Sequence, residues 1–268
     1  MQTSETETNN PHAHEPEGTA ANTPSAGLTI TDMSWQDPDR MPPSDLPEDD
    51  SDRMSPWHFK NTVLLMAGYL AANNNEMKNY YMGANMFFYY SIQQIETLDF
   101  KGPDFFIVFN VDGTKPRQYW ATWDEDVLYP KIIIELLSPS TAEHHMRERK
   151  LLYEETFHVY EHFYVGPDVE ELLGWQAGMG FRYHPIEPDG RGWLWSNGMR
   201  LWLGPWEGFF LGEYHTWLRL YHPDGQLVLL PEEAERQRAD AAEQALAAER
   251  QRTAELLETI EQMKAQMQ

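Results

Sequence analysis

Between Gly102 and Leu137 lie two runs of apolar residues, many of them β-branched or aromatic, and each run carries one carboxylate. Asp104 opens the run Phe105-Phe106-Ile107-Val108, and Glu135 sits between Ile132-Ile133-Ile134 and Leu136-Leu137. Such runs read as core strands, and a charge buried there unpaired is strongly destabilising. One reading lets both acids escape burial, with Glu135 on a solvent-facing edge strand and Asp104 in the turn after Gly102-Pro103. The other has something compensate the two together, and a divalent cation shared by two carboxylates would do so. The second reading gains weight because two acids, not one, are involved. The basic segment Arg147-Glu148-Arg149-Lys150 also follows at once.

The chain is long enough, at 268 residues with 41% hydrophobic content, to bury one sizeable core. It has no cysteine, which removes disulfide frameworks and thiolate metal sites. No apolar leader or membrane-length run is present, so a cytoplasmic protein with no membrane partner is expected. The net charge is -23, but residues 1–50 hold eleven acids against one base, and residues 232–268 nine against five. Much of the acidity thus lies outside the expected core. The nearest thing to a basic stripe is Arg147, Arg149 and Lys150 with Lys131, which argues against tight, general DNA binding.

Residues 1–52 are polar, acidic and aperiodic and read as a disordered segment. Residues 53–230 read as one domain and residues 231–268 as a helical tail. Ser55-Pro56 marks a helix start, with the helix running from Trp57 to about Asn73. Strands are expected at Met86–Ser91, Asp104–Phe109, Gln118–Thr122, Lys131–Leu137 and His162–Val165, and a helix over Thr141–Thr156. Glu171–Trp175 and Phe181–His184 read as a hairpin around Gly178 and Gly180. A last hairpin is expected around Asp224-Gly225, joining Leu218–Tyr221 to Leu227–Leu230. The many tryptophans after Trp193 alternate with polar residues at strand spacing and read as core rather than as a base-stacking surface. The tail has a thin seam in which alanines fill many positions and heptads are not sustained. A solvated single helix and a weak coiled-coil homodimer are both consistent with it, and the dimer is preferred because the helix has nothing else to bury.

In order and spacing, several segments together resemble the Uma-type restriction endonuclease family of the PD-(D/E)XK nuclease superfamily. They are Gly83-Ala84-Asn85-Met86-Phe87-Phe88-Tyr89-Tyr90-Ser91, Gly102-Pro103-Asp104-Phe105-Phe106, and Ile134-Glu135-Leu136-Leu137-Ser138-Pro139-Ser140-Thr141. Lys150 with Tyr153, Gly192-Trp193-Leu194-Trp195-Ser196 and Trp217-Leu218-Arg219-Leu220 complete the set. The resemblance implies an α/β (α+β) restriction-endonuclease-like fold, a mixed sheet flanked by helices, here with C-terminal hairpins and a long helical tail. It implies Mg²⁺-dependent hydrolysis of DNA, with Mn²⁺ as a substitute, and Asp104 and Glu135 as metal ligands. The strand lysine of the superfamily is missing, since Leu137 stands two residues after Glu135. The cation would then come from the following helix, from Lys150 in preference to Arg149. Family members carry an Asp and a Lys where this chain has His145 and Arg149. That departure supports an alternative function, a catalytically silent protein-binding or assembly module. No P-loop, dinucleotide fingerprint or nucleophile elbow appears.

Overall fold

The computed structural model describes residues 55–90, 102–138 and 143–267. The expected disordered segment 1–52 lies outside the described residues, as do Pro139, Ser140 and Thr141. Ser55 caps helix α1 (Pro56–Ala72): its side-chain oxygen accepts the backbone N–H of His58, and Pro56 occupies the first turn, where no N–H is needed. Six strands form the main sheet: β1 (Tyr80–Gly83), β3 (Phe105–Phe109), β5 (Ile132–Leu136), β6 (Glu161–Val165), β7 (Leu172–Ala177) and β8 (Tyr183–Pro185), adjacent in that order. Only β5 and β6 pair in parallel; every other pairing in this sheet is antiparallel. The parallel step requires a crossover, and helix α2 (Glu143–Leu151), continued by one π turn over Leu152–Thr156, supplies it. Short strands β2 (Phe88–Tyr89) and β4 (Trp120–Ala121) pair in parallel beside the sheet.

Both faces of the sheet are covered, which is why its central strands read as unbroken apolar runs. Alternation sends Phe105, Ile107, Ile132, Ile134, Leu136, Phe163 and Val165 to one face. There they meet Leu65 and Tyr69 of α1 and a three-stranded sheet of β9 (Leu194–Ser196), β10 (Leu201–Phe210) and β11 (Glu213–Tyr221). Phe106, Val108 and Ile133 face the other way and pack on Tyr153, Phe157, Phe88 and Trp120. Each such side chain, once fully buried, contributes about 1.5–3 kcal/mol through loss of apolar surface from water. Glu135, two residues after Ile133, shares this second face.

The strands expected around Asp104, Glu135 and His162 form with ends shifted by a residue or so. Two expectations need correction. The aromatic stretch from Met86 yields only the two-residue β2, and the edge strand β1 at Tyr80–Gly83 was not among the expected strands. β11 pairs along its whole length with β10 around Leu211 and Gly212, not with Leu227–Leu230, which it touches through a single bridge, Tyr221 to Leu227. Pro205 and Gly208 lie inside β10, where Pro205 stands opposite Leu218. β9 pairs β10 only over Leu201–Leu203, so the N–H missing at Pro205 costs no ladder bond on that side. The tail forms helix α3 (Pro231–Gln266).

Candidate active site

The register of β3 and β5 brings the two acids together. Phe105 pairs with Ile134 in an antiparallel ladder, so the next position along sets Asp104 against Glu135. Asp104 Oδ2 accepts the backbone N–H of Leu136 at 2.8 Å, which pins its carboxylate to the far end of β5. Glu135 is 1% exposed and Asp104 8%. Neither acid is a solvent-facing edge residue.

Two groups from the crossover reach Glu135. Arg149 donates from its guanidinium to Oε2 at 2.8 Å, and the Tyr153 hydroxyl donates to Oε1 at 2.5 Å. The two are four residues apart on α2 and its π continuation, which puts both on one helix face. Lys150, a single residue on, is rotated by about 100°. Its ammonium lies 4.2 Å from the centre of the Trp175 ring on β7, a cation–π contact, and not on the carboxylates. The structure therefore brings Asp104, Glu135 and Arg149 together and leaves Lys150 apart from them. The side chain of His145 lies outside the described residues.

Helix α1 supplies a fourth group that sequence reasoning missed. His58 Nε2 comes within 2.9 Å of Asp104 Oδ1 but is out of line for a hydrogen bond, so this buried nitrogen has no directed partner. α1 is fastened where it must be for this contact. Asn61 Oδ1 accepts the N–H of Leu218 at 2.8 Å, and Trp57 Nε1 donates to the Thr216 carbonyl at 3.1 Å, both on β11. Nothing in the local sequence links residue 58 to residue 104; the tertiary packing of α1 does.

The electrostatics follow from this crowding. Burial and the neighbouring Asp104 charge push the Glu135 carboxyl up to about 8, although Arg149 and Tyr153 favour its ionised form. The same carboxylate raises the Arg149 guanidinium, and together with burial it raises the Tyr153 phenol. His162 on β6 faces the same side, buried among the rings of Tyr153, Tyr164, Trp175 and Tyr183. Both its ring nitrogens lack partners. Burial, with Lys150 and Arg149 nearby, pushes it down to about 3 and keeps it neutral.

A third buried acid is a useful contrast. Glu161 opens β6 on the opposite face, and its oxygens accept from the Ser196 hydroxyl and from the backbone N–H groups of Asn197 and Gly198. It has a full set of donors and ties the turn after β9 to the sheet. Asp104 and Glu135 instead retain lone pairs and repel each other, with His58 Nε2 against Asp104 Oδ1 at 2.9 Å. The two carboxylates are oxygen donors of the kind that could hold a hard cation. Among the described residues, no three His, Asp or Glu side chains converge into a metal cage of their own.

No curated protein matches the chain. Among solved structures, a protein described as a "putative nuclease belonging to DUF820" from Anabaena variabilis ATCC 29413 is similar, with a TM-score of 0.39 and 10% sequence identity, over 55% of this chain and 75% of that one. The family model "Uma2: Putative restriction endonuclease" matches residues 51–203. That is more than half of the chain, which therefore belongs to the Uma2 family of restriction-endonuclease-like nucleases.

Proposed function

We propose that the protein is a Mg²⁺-dependent endonuclease that hydrolyses DNA phosphodiester bonds at Asp104 and Glu135. The observation that carries this reading is the buried carboxylate pair, which its own surroundings leave under-compensated. Mg²⁺ is held by one or two protein carboxylates, with waters and substrate phosphates completing its shell, so a pair without a third protein ligand suits it. Bound there, Mg²⁺ would polarise a phosphoryl oxygen and lower the pKa of its water. Mn²⁺ fits the same donors.

The protein groups have distinct tasks. Asp104, clamped by the Leu136 N–H, and Glu135, clamped by Tyr153, present their free lone pairs in a set geometry. Arg149 is 44% exposed at its side chain, so its guanidinium can serve Glu135 and also meet a phosphate from the solvent side. It stays protonated at any working pH and supplies charge, not a proton. Titration calorimetry with Mg²⁺, on wild type and Glu135→Ala, tests the site, with and without an uncleavable DNA duplex. Saturable binding in wild type that disappears in the variant is expected. Silence of the wild type in both conditions would remove the proposal's basis.

One observation favours a second reading, a catalytically silent assembly module. Arg149 already places a positive charge on Glu135, where the family pattern has a lysine. Under that reading Asp104→Ala leaves function intact and raises stability by removing the charge next to Glu135.

A further inference from the structure

Helix α3 leaves the domain at Pro231 anchored at its first turn. Arg219 of β11, 2% exposed, donates to both carboxylate oxygens of Glu233, which also accepts the N–H of Leu230. From Glu235 onward every described residue of the helix is exposed. Thirty-six residues span about 54 Å, and a helix that packs on nothing draws little stability from propensity alone.

Most of its large apolar residues fall on one line, with Leu257 the exception. Ala239, Ala242, Leu246, Leu256, Ile260 and Met263 follow alternating steps of three and four if the count is carried across Glu249 and Thr253. This is the a/d spacing of a heptad seam. Leu246, Leu256, Ile260 and Met263 are 52%, 57%, 45% and 56% exposed, so the seam's large side chains all lack cover.

We propose that α3 forms one strand of a parallel two-stranded coiled coil, the other strand being α3 of a second copy of this chain. In a parallel, in-register pair, Leu256, Ile260 and Met263 each meet their own counterpart and form three successive apolar layers. An antiparallel pair that sets Met263 against Leu246 would set Ile260 against Glu249. Parallel pairing also places Arg238, at a g position, beside Glu243 at the following e position of the second copy. Glu249 is the weak layer, facing its own copy across the seam, with Arg250 and Arg252 on either side. This proposal does not depend on nuclease activity.

Sedimentation equilibrium of the full chain tests it. At micromolar concentration the expected mass is twice 31.3 kDa. The double variant Leu256→Asp, Ile260→Asp should sediment as a monomer, with the domain's melting unchanged. Glu249→Leu should lower the dimer dissociation constant at least tenfold. The chain has no cysteine, so Met263→Cys introduces one thiol per copy, and mild oxidation should yield a covalent dimer. A monomeric wild type, or a dimer that survives the double substitution, would overturn the proposal. A dimer that fails to cross-link through Met263→Cys would overturn the parallel register.

Discussion

Glu135 is the residue whose protonation state governs the site. Its carboxyl is pushed from 4.5 up to about 8 in the folded protein. Between those values the native state holds a proton that the unfolded state has released. Its contribution to stability is therefore complete below about pH 4.5 and is lost as pH rises through 8. Glu135→Gln should flatten that decline and leave the protein more stable than wild type at pH 9, on the order of a few kcal/mol, read from denaturant midpoints between pH 5 and 9. A divalent ion must displace the same proton, so Mg²⁺ affinity should rise over this range. Arg149 and Lys150 are separated by a substitution pair. Arg149→Ala strips the ionised Glu135 of its ion-pair partner and, above pH 8, should cost activity and about 1–3 kcal/mol of stability, allowing for its partial exposure. Lys150→Ala, which removes a contact with Trp175, should leave cleavage within a few-fold of wild type. Equal losses for both would contradict the placement of the cation. Asp104 and Glu135 were legible in the sequence because a carboxylate is conspicuous in an apolar run. The choice between Arg149 and Lys150 was not, because it depends on the phase of a helix whose ends, and whose π turn, composition does not define.

At the scale of elements, the sheet and crossover were legible where a local signal is strong: the unbroken apolar runs of β3 and β5 and the Ser55-Pro56 start of α1. They were not where pairing is decided at a distance. Tyr80–Gly83 is too short and too mixed to signal a strand, and it becomes one because β3 offers an edge with matching register. His58 reaches Asp104 only because Asn61 and Trp57 dock α1 on β11, a contact that spans more than 150 residues of sequence. The pairing of β10 with β11 was hidden by Pro205 and Gly208, which punctuate a sequence yet sit without conflict on a stretch of β10 that β9 does not reach. The junction between domain and tail gives a prediction at this scale. Arg219→Ala leaves the Val228 carbonyl without its donor and Glu233 without its partner, and should cost about 3 kcal/mol or more. Thermal melting would show the loss, and circular dichroism an earlier fraying of α3. A melting point unchanged from wild type would mean that the helix is not anchored through this pair.

For the molecule as a whole, charge and architecture pull in different directions. Net charge -23 opposes any polyanion, yet more than half of the surplus belongs to residues 1–50 and to the tail. The central domain presents Arg149 at the carboxylates. No described helix is long and apolar enough to cross a membrane. A dimer through α3 would put two carboxylate pairs in one assembly. The most direct test of the central claim is the nicking and linearisation of supercoiled plasmid DNA by purified wild type and Asp104→Ala, with Mg²⁺ and with EDTA. The account predicts Mg²⁺-dependent cleavage by the wild type that is lost both in EDTA and in the variant. No cleavage by folded wild type in Mg²⁺ or Mn²⁺, or equal cleavage by Asp104→Ala, would contradict it.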